Sequence, residues 1–505
     1  MMFWLFAFKA CYTLGSTYND GAYYILRASD GGYLLVGYTW SASSGSNQDM
    51  YIVKLSSSFG LQWTKYIQGS SSEAGYSAVQ TSDGGYVVVG NTNSFGAGSS
   101  DMLVVKLTST GSVSWARAIG GSGNDGAGFG NSVIIDNSGN YIIVGNTYSF
   151  GFSSGAIYVV SLSSTGTLNW SRVISASFTN LSACCIIATS DGGYAIAGSY
   201  GNDLYIVKLN SSWNIQWTKT VNFSSNDVAY YLIQTSDGGY LVAGACGFGN
   251  DYDACIVKLN SSGTVQWKKA YGRSNVDHAR RVFQTSDGGY IVAGYYSYSD
   301  TDKDFWLFKI DANGNLLWSR TYGSGGGEYG YSLTYTSTLD WVIAGERAGN
   351  SSISGIGGFD MLIMVIQQSD LSTCCSSAYN PSISVYNGST EGSGGSISTV
   401  SSTNTIISPT NFSIGIVNTV CTTPVGISEN DNLYCKDKIT IKLNSEISGS
   451  VNIKIYDISG TLVFKGKALV KDQYIELDIS KLKKGVYLLE LNIDGKVIRK
   501  RFLKG

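Results

Sequence analysis

The sequence predicts an all-β protein, namely a seven-bladed β-propeller followed by a linker and a small Ig-like antiparallel β-sandwich. Three observations support this fold class. The tetrapeptide Asp-Gly-Gly-Tyr recurs through the first 366 residues, the 505-residue chain contains 63 Gly and 35 Tyr but only 3 Pro, and the composition changes twice after residue 366. Abundant Gly and aromatic residues with little Pro are typical of short strands joined by tight turns.

The repeat is defined by the last aromatic residue of each copy. Two copies are degenerate, and successive copies are 46 to 55 residues apart. The seven marker residues are Tyr33, Tyr86, Tyr141, Tyr194, Tyr240, Tyr290 and Trp341. A period in this range indicates one supersecondary unit repeated around or along an axis, either as a closed propeller or as a solenoid. Solenoid units are usually shorter or helical, so the propeller is favoured.

Each copy has the pattern of a four-stranded blade. In the second copy, β-rich runs cover residues 76–81, 87–90, 101–107 and 113–117, with Gly, Asp and Ser between them. The third run opens with Asp and ends with Lys in most copies, and the fourth carries a Trp. The Asp-Gly-Gly segment supplies the positive φ angles that a tight hairpin turn requires. The Trp residues are expected to pack between neighbouring blades.

The amino-terminal segment allows two interpretations. Seven copies of the first three strands are followed by only six Trp strands, so residues 4–12 are predicted to pair with residues 360–366 and close the ring. Alternatively, the apolar start is a signal peptide, although it lacks a basic segment before its apolar core and an Ala-x-Ala site after it. The two interpretations exclude each other.

Charge and cysteine content narrow the function classes. Residues 436–505 carry 15 basic and 8 acidic side chains, whereas the rest carries 19 basic and 28 acidic ones. An acidic body argues against nucleic acid as its ligand. No run is long and apolar enough to predict a transmembrane helix. The nine Cys lack zinc-site spacing, and Cys246 and Cys255 are either partners in a disulfide or buried thiols.

A series of acids just before each innermost strand is the candidate binding site. Six of the seven positions are acidic: Asp20, Glu73, Asp125, Asp227, Asp277 and Glu328. Together with the Asp that opens most third strands, they predict an electronegative face that could hold Ca²⁺ or attract a cationic ligand. The alternative is structural, with each carboxylate accepting backbone N–H bonds in its own loop or pairing with the Lys of its own third strand. No other cofactor is expected.

Classical catalytic motifs are absent from the sequence. The single histidine, His278, has no Gly-x-Ser-x-Gly partner and is expected on a surface or loop. The loops between second and third strands vary most between copies, for example residues 41–48, 91–100 and 350–359. Variable loops on a rigid scaffold are the expected contact surface for a ligand.

The domain organisation follows from composition. Residues 1–366 form the propeller, residues 367–434 form a Ser/Thr/Gly-rich linker or a small β module, and residues 435–505 form a carboxyl-terminal domain. All three Pro lie in the middle segment. The last segment alternates Lys with Ile, Val and Leu in strand-like runs, with hairpin turns at Ser459-Gly460 and Asp494-Gly495.

The carboxyl-terminal segment resembles a known family. Ile453-Lys-Ile-Tyr-Asp-Ile-Ser-Gly460, Leu477-Asp-Ile-Ser-Lys-Leu-Lys-Lys-Gly485-Val-Tyr-Leu and the basic ending Arg499-Lys-Arg-Phe-Leu-Lys504 resemble the C-terminal sorting domain, type A, of type IX secretion substrates. The usual opening Pro-Asn-Pro is missing. The positions that the resemblance assigns to the sorting motif are Tyr456, Asp457, Gly460, Asp478, Leu482, Gly485, Val486, Tyr487 and Lys500. The Asp-Gly-Gly-Tyr/Trp repeats are similar to propeller repeats often joined to such tails.

The resemblance implies a location and a partner. It implies export across a Gram-negative outer membrane, contact with the secretion machinery through the tail, and a final place at the cell surface or in the medium. We therefore expect a monomeric, non-catalytic binding or adhesion protein whose ligand is an extracellular polymer or protein. The alternative is a secreted hydrolase or lyase that acts on extracellular glycan or peptide through loop acids such as Asp277 and Glu328. A structural spacer in a surface layer is a third hypothesis.

Overall fold

A computed structural model of the chain describes most of the propeller and many later strands. The described residues are 10–15, 18–40, 46–175, 180–248, 251–272, 275–299, 302–323, 327–337, 339–348, 358–366, 384–387, 390–392, 396–399, 403–407, 416–418, 432–435, 438–442, 450–457, 462–471, 474–478, 480–483, 485–493 and 496–504. Within these ranges every regular element is a β-strand. None of the described residues belongs to a helix that could span a membrane.

Seven antiparallel sheets follow one another along the chain, and each is a blade. Strand β1 (Ala10–Gly15) precedes the first. Blade 1 contains β2 (Asp20–Arg27), β3 (Tyr33–Thr39), β4 (Asp49–Leu55) and β5 (Leu61–Ile67); blade 2 contains β6 (Glu73–Gln80), β7 (Tyr86–Thr92), β8 (Asp101–Leu107) and β9 (Val113–Gly120); blade 3 contains β10 (Asp125–Ala127), β11 (Val133–Ile135), β12 (Tyr141–Thr147), β13 (Ala156–Leu162) and β14 (Leu168–Ser175).

The next blades repeat this plan. Blade 4 contains β15 (Leu181–Ala188), β16 (Tyr194–Tyr200), β17 (Asp203–Leu209) and β18 (Ile215–Asn222); blade 5 contains β19 (Ser225–Gln234), β20 (Tyr240–Phe248), β21 (Asp251–Leu259) and β22 (Val265–Gly272); blade 6 contains β23 (His278–Gln284), β24 (Tyr290–Ser297), β25 (Lys303–Ile310) and β26 (Leu316–Tyr322); blade 7 contains β27 (Glu328–Tyr335), β28 (Trp341–Ala348) and β29 (Phe359–Ile366).

The seventh blade is completed from the other end of the chain. Strand β1 pairs antiparallel with β29, with Ala10 opposite Val365 and Leu14 opposite Met361. The sequence placed the closing strand at residues 4–12, but it runs from Ala10 to Gly15, and residues 1–9 lie outside the described ranges. One apolar cluster joins side chains of blades 7 and 1, including Ile363 and Leu35, so the ring of seven blades is closed.

The core lies between neighbouring blades. The middle strands, such as β7 and β8, are apolar over nearly their whole length and buried on both faces, whereas the outer strand β9 alternates exposed and buried positions. A strand covered on both faces needs apolar residues on both, so the near-continuous Val and Leu runs follow from the packing of blade on blade. Full burial of one Val or Leu side chain stabilises the fold by about 1.5–3 kcal/mol relative to leaving it exposed.

The Asp-Gly-Gly-Tyr segment forms the turn between the first and second strands, and each residue has a separate role. In blade 2, Asp83 Oδ1 accepts the Gly85 N–H at 2.9 Å, and Gly84 has a φ of +77°. Lys106, from the third strand, reaches Asp83 Oδ2 at 2.9 Å. A Cβ on Gly85 would clash with that ammonium and with a backbone carbonyl. The second Gly therefore leaves room for the Leu107 carbonyl and for the Lys.

The same Asp–Lys pair occurs in five blades and is lost as a unit in the other two. The pairs are Asp30–Lys54, Asp83–Lys106, Asp191–Lys208, Asp237–Lys258 and Asp287–Lys309. In blade 3 the equivalent residues are Ser138 and Ser161, and the second Gly is replaced by Asn140. In blade 7, Val365 stands in the Lys position. These five Lys thus pair with the turn Asp and not with the acids before the innermost strands, which was one of the two structural alternatives for those acids.

The Trp of the fourth strand contacts the following blade. Trp63 Nε1 donates to the carbonyl of Ser109 at 3.2 Å, and its ring covers Gly111 in the turn of blade 2. Trp115, Trp217 and Trp267 cover Gly166, Gly263 and Gly314 in the same way. The prediction that these rings pack between blades is confirmed, although Trp63 stays partly exposed.

Five short strands within the predicted linker add a further outer strand to five blades. They are β30 (Ser384–Asn387), β31 (Thr390–Gly392), β32 (Ser396–Thr399), β33 (Thr403–Ile407) and β34 (Ile416–Asn418). They pair antiparallel with β22, β18, β14, β9 and β1 respectively. From β30 to β34 these strands pair with blades 5, 4, 3, 2 and 7 in turn. They therefore follow the outside of the ring in the reverse of the order in which the chain forms the blades.

The chain divides into two compact units, Met1–Val420 and Cys421–Gly505. The strands of the second unit are β35 (Asn432–Cys435), β36 (Lys438–Lys442), β37 (Ser450–Asp457), β38 (Leu462–Lys471), β39 (Tyr474–Asp478), β40 (Gly485–Ile493) and β41 (Lys496–Lys504). Their order is β35-β41-β40-β37-β38-β39-β36, and only β35 and β41 run parallel. Asp457 lies opposite Tyr487, so two of the resemblance motifs meet on neighbouring strands.

Candidate ligand site in the central channel

The innermost strands of the blades surround a central channel, and most of them bulge there. In six blades the pairing with the second strand skips one residue ten positions before the aromatic marker. The skipped residues are Tyr23, Tyr76, Cys184, Tyr230, Arg280 and Tyr331. A bulge leaves one residue unpaired and re-aims its side chain. Four of these six side chains line a cavity of about 320 Å³ in the channel.

Blade 3 departs from the pattern because its innermost strand is interrupted. Residues 128–132 lie between β10 and β11, and the Gly130 N–H donates to the Cys184 carbonyl of blade 4 at 2.9 Å. Tyr24 of blade 1 donates to Asn131 Oδ1 at 2.9 Å. A Cβ on Gly130 would clash with the Tyr230 carbonyl of blade 5. This segment, hereafter the channel loop, therefore contacts three other blades and narrows the channel.

An arc of aromatic rings forms one side of the channel. The ring centroids of Tyr331 and Tyr23 are 5.3 Å apart, those of Tyr23 and Tyr76 are 5.6 Å apart, and those of Tyr76 and Phe129 are 4.2 Å apart. Phe129, in the channel loop, has 57 % of its surface exposed and lines the cavity. An exposed ring in a concave site is a platform for an apolar or carbohydrate face.

Two arginines of blade 6 lie against tyrosine rings of the channel wall. The Arg280 guanidinium carbon lies 3.8 Å from the centre of the Tyr230 ring and 5.5 Å from that of Tyr331. Arg281 lies 4.7 and 4.8 Å from the rings of Tyr24 and Tyr231, and its Nη1 donates to Ser332 Oγ at 2.8 Å. The Nε of each arginine is buried without a hydrogen-bond partner. Both side chains line the cavity.

A carboxylate and a histidine lie beside the arginines. Glu346 accepts hydrogen bonds from the hydroxyls of Tyr38 and Tyr331, each at 2.7 Å. Burial raises the pKa of Glu346, against the effect of those two bonds and of Arg280. His278 is only 8 % exposed, and its Nδ1 is 2.7 Å from the Tyr295 hydroxyl. Burial and the neighbouring Arg280 hold the pKa of His278 well below its usual value, so the imidazole is neutral.

The side chains that line the cavity favour ligand binding over catalysis. It offers two guanidinium groups, several tyrosine rings and one exposed Phe, whereas the acids that the sequence singled out do not line it. His278 was expected on a surface or loop, which is wrong, because β23 carries it into the buried wall beneath the cavity. A neutral, buried imidazole held by Tyr295 fits a structural part of that wall.

The predicted acids lie beneath their face of the propeller instead of on it. Each is at most 1 % exposed. Asp125 Oδ2 accepts from Gly121 N and Ser149 Oγ, and Asp277 Oδ1 accepts from Ser297 N. Asp227 Oδ2 accepts a hydrogen bond from Phe223 N, and Glu73 Oε1 accepts one from Thr92 Oγ1. Glu328 forms an ion pair with Arg347 at 3.3 Å. Asp20 is the first residue of β2.

These acids meet the third-strand Asp of the preceding blade. A Cβ on Gly272 would clash with both Asp253 and Asp277, and one on Gly120 with both Asp101 and Asp125. Burial raises the pKa of Asp253 to about 7, and burial together with Glu328 raises that of Asp304 to about 7. In the part of the chain that the structure describes, no three His, Cys, Asp or Glu side chains form a group that could hold a metal ion.

Other predicted features have the following places. Cys246 and Cys255 are buried free thiols, which decides between the two alternatives. Of the variable loops, residues 91–100 are described, whereas residues 41–45 and 350–357 lie outside the described ranges.

The positions assigned to the sorting motif lie in the second unit. Tyr456 and Asp457 end β37, Asp478 ends β39, and Gly485, Val486 and Tyr487 open β40. Leu482 lies in a turn, Lys500 lies in β41, and Gly460 is outside the described residues.

The channel residues were missed by the sequence analysis, although two signals pointed to them. The position ten residues before the marker is aromatic in several copies but Cys184 in one and Arg280 in another. In the third copy the acid lies 16 residues before the marker, whereas 13 is usual, and this longer spacing corresponds to the channel loop. Both signals are departures from the repeat, whereas the acids follow it.

Two segments of the chain match known families. Residues 435–504 match the family described as the secretion system C-terminal sorting domain. Residues 81–113, within blade 2, match a family described as a β-propeller domain of unknown function, DUF5122. The sorting domain implies secretion through the type IX pathway, so the match indicates export to the cell surface or the medium. No curated protein matches the chain.

Solved structures show only distant likeness. A protein from Lactobacillus plantarum is 9 % identical, with 73 % of this chain and 96 % of that chain covered and a TM-score of 0.40. Sqt1 from Chaetomium thermophilum is 10 % identical, with 72 % and 98 % covered and a TM-score of 0.41. A puromycin hydrolase is 10 % identical, with 73 % and 55 % covered and a TM-score of 0.39. Likeness at this level carries no inference about function.

Proposed function

We propose that this protein is an exported, non-catalytic binding or adhesion protein whose ligand enters the central channel of the propeller. The observation that supports it most is the cavity itself, with an exposed Phe129 and two arginines beside it. These residues lie where the repeat is broken, and the ligand is an extracellular polymer or protein. The protein acts as a monomer without a cofactor.

The carboxyl-terminal unit delivers the propeller to its site of action. We assign residues 435–505 to a type A sorting domain with an Ig-like sandwich fold, joined through residues 367–434 to a propeller of the Asp-Gly-Gly-Tyr/Trp repeat type in residues 1–366. The match over residues 435–504 and the pairing of Asp457 with Tyr487 support this assignment. The secretion machinery of a Gram-negative bacterium is then the partner of this unit, and its outer surface or the medium is the destination.

Burial of the loop acids supports a binding function over a hydrolase or lyase. Asp277 and Glu328, the acids named for catalysis, have no exposed surface, and Glu328 is paired with Arg347. A general acid or base must come within hydrogen-bond reach of its substrate. The side chains that do line the cavity are aromatic, Ser and Arg, which bind and orient ligands.

Export is tested with a reporter fusion. A fluorescent protein carrying residues 435–505, behind a Sec signal peptide, is produced in a bacterium with a type IX system, and the fraction outside the outer membrane is measured. We expect export of this fusion and retention of a control that carries residues 367–434. Equal retention of both would contradict the address assigned to the tail.

Binding is tested on arrays of extracellular glycans and peptides. We expect the exported chain to bind at least one polymer, and Phe129→Ala to weaken that binding about tenfold or more, as for a central aromatic contact. Leu317→Ala is the matched control, because Leu317 is 54 % exposed but lies on an outer strand. Loss of binding in both variants, or in neither, would remove the channel as the site.

A further inference from the structure

The two adjacent arginines of the channel specify the charge of the ligand. Arg281 is only 8 % exposed, its Nε has no partner, and it lines the cavity together with Arg280. Among the described residues neither arginine forms an ion pair. A buried cation without a counter-ion is costly, and tyrosine faces offset only part of that cost. The geometry points to an anionic ligand group that completes the site, and this inference rests on the proposed channel function.

The neighbouring charges do not supply that anion. Glu346 is the carboxylate that acts electrostatically on Arg280, but its two oxygens already accept the hydroxyls of Tyr38 and Tyr331. Asp277, on the same blade, is turned to the Ser297 N–H. Lys303 adds a further positive charge near Tyr329. Both guanidinium groups line the cavity with polar partners that are neutral, so the counter-charge is left for the ligand to supply.

The aromatic arc favours a sugar as the carrier of the anionic group. The rings of Tyr331, Tyr23, Tyr76 and Phe129 follow one another along one wall, and the exposed Phe129 lines the cavity. A pyranose ring offers an apolar face to such a platform and hydroxyl groups to tyrosine hydroxyls. A planar guanidinium binds a carboxylate or a sulfate through paired hydrogen bonds.

We propose that the channel binds an acidic glycan, with a uronate carboxylate or a sulfate on Arg280 and Arg281 and the sugar ring on Phe129. A cavity of about 320 Å³ is at the small end of ligand sites, so it takes one sugar unit or one chain end. Specificity for the anion then comes from the two guanidinium groups, and the aromatic arc tolerates different sugars.

Calorimetry on the full chain tests the charge. The probes are a galacturonate oligosaccharide, a sulfated galactan oligosaccharide, a neutral galactan oligosaccharide of equal length and polyglutamate. We expect binding of at least one acidic oligosaccharide, none of the neutral one, and weakening as salt is added. The carboxylated and sulfated probes distinguish the two sources of negative charge. Preference for polyglutamate would overturn the glycan in favour of an acidic peptide.

Variants locate the contact. Arg280→Gln and Arg281→Gln should each weaken binding of the acidic oligosaccharide about ten- to hundredfold, the usual effect of losing a charge-assisted hydrogen bond. Arg172→Gln should not, because Arg172 also lies over an aromatic ring, that of Trp170, but on an outer strand. If an arginine variant does not fold, Phe129→Ala still tests the channel as the site, since Phe129 is exposed, and the acidic and neutral oligosaccharides test the charge.

The outcomes separate this inference from the proposed function. Equal affinity for neutral and acidic oligosaccharides, with loss in Phe129→Ala, would overturn the charge assignment while the channel function stands. Binding of no glycan or peptide in any arm would overturn both. Acidic-glycan binding that survives both arginine variants and Phe129→Ala would place the ligand elsewhere on the propeller.

Discussion

The turns at one edge of the propeller and the wall of its channel are built from the same repeat but obey different rules. The edge turns carry the same Asp, Gly and Lys in five blades, with Asp–Lys contacts of 2.8–2.9 Å in four of them. The bulged channel position is Tyr in four blades, Cys in one and Arg in another, and blade 3 has the channel loop instead. Identity between copies marks what every blade needs to fold, and divergence at an equivalent position marks what the whole ring does.

The two degenerate copies sharpen this contrast. Blade 3 has lost the Asp–Lys pair and has Asn140 where five copies have the second Gly. Its turn is held instead by Asp136, whose Oδ1 accepts the N–H groups of Ser138 and Asn140 at 2.8 Å. The same blade supplies the channel loop. Blade 3 therefore departs from the repeat both at the edge and at the channel.

The largest loss of stability is expected when a glycine of an edge turn is replaced by a residue with a side chain. Gly85→Ala would place a Cβ against Lys106 Nζ and the Leu107 carbonyl, so the free energy of unfolding should fall by about 1–3 kcal/mol. Urea denaturation measures it. Asn140→Ala in blade 3 is the control and should have a smaller effect, since Asn140 already carries a Cβ. Equal losses would show that the added Cβ is not what destabilises the turn.

A smaller loss is expected when the Asp–Lys pair is broken. Asp83→Ala leaves the Lys106 ammonium with Thr81 Oγ1 and the Leu107 carbonyl. The expected cost is about 1–2 kcal/mol, below that of a fully buried pair, because 63 % of the Asp83 side chain is exposed. Adding Lys106→Met should recover part of it, as in blade 7, where Val365 needs no partner. A double-mutant cycle without coupling would contradict this account.

The buried acids and the aspartates of the edge turns should make the stability of the fold depend on pH in opposite directions. Burial raises the pKa of Asp304 and Asp253 to about 7 and that of Asp227 to about 6. The folded state then binds more protons than the unfolded state, so this stability is present below pH 4 and is lost as the pH rises through 6 to 7. Hydrogen bonds from Thr81 and Lys106 lower the pKa of Asp83 to about 2, so its contribution is lost below about pH 4.

Urea midpoints between pH 4 and 8 measure this difference. Asp304→Asn should flatten the decline above pH 5, since an amide cannot release a proton. Asp237→Asn, at an edge turn with a pKa of about 2, should leave that decline unchanged. Stability that rises from pH 5 to 8 would refute the assignment of raised pKa values to the buried acids.

The smallest effect on stability is expected in the channel. Phe129→Ala removes an exposed ring, so the free energy of unfolding should change by no more than about 0.5 kcal/mol. The same variant should lose ligand binding. A large loss of stability would mean that the contact between Phe129 and Tyr76 supports the channel loop, and the contrast between edge and channel would then be weaker.

The blades can be predicted from the sequence, because their causes are local. The positive φ at Gly84, the apolar runs of β7 and β8 and the missing seventh Trp strand are all legible along one stretch of chain. They predicted four strands per copy and a strand from the amino terminus in the last blade. They did not reveal that Lys106 belongs to Asp83, because that pair joins the turn after the first strand to the end of the third.

The candidate site, in contrast, becomes visible in the folded ring alone. Tyr23, Tyr76, Phe129, Tyr230 and Arg280 are far apart in sequence and meet only because the ring closes around them. The acids were chosen because they recur once per blade, and closure buried them between blades. Periodicity reports what each blade repeats, whereas a channel binds through side chains that differ from blade to blade, so the axis on which they converge had to be seen in three dimensions.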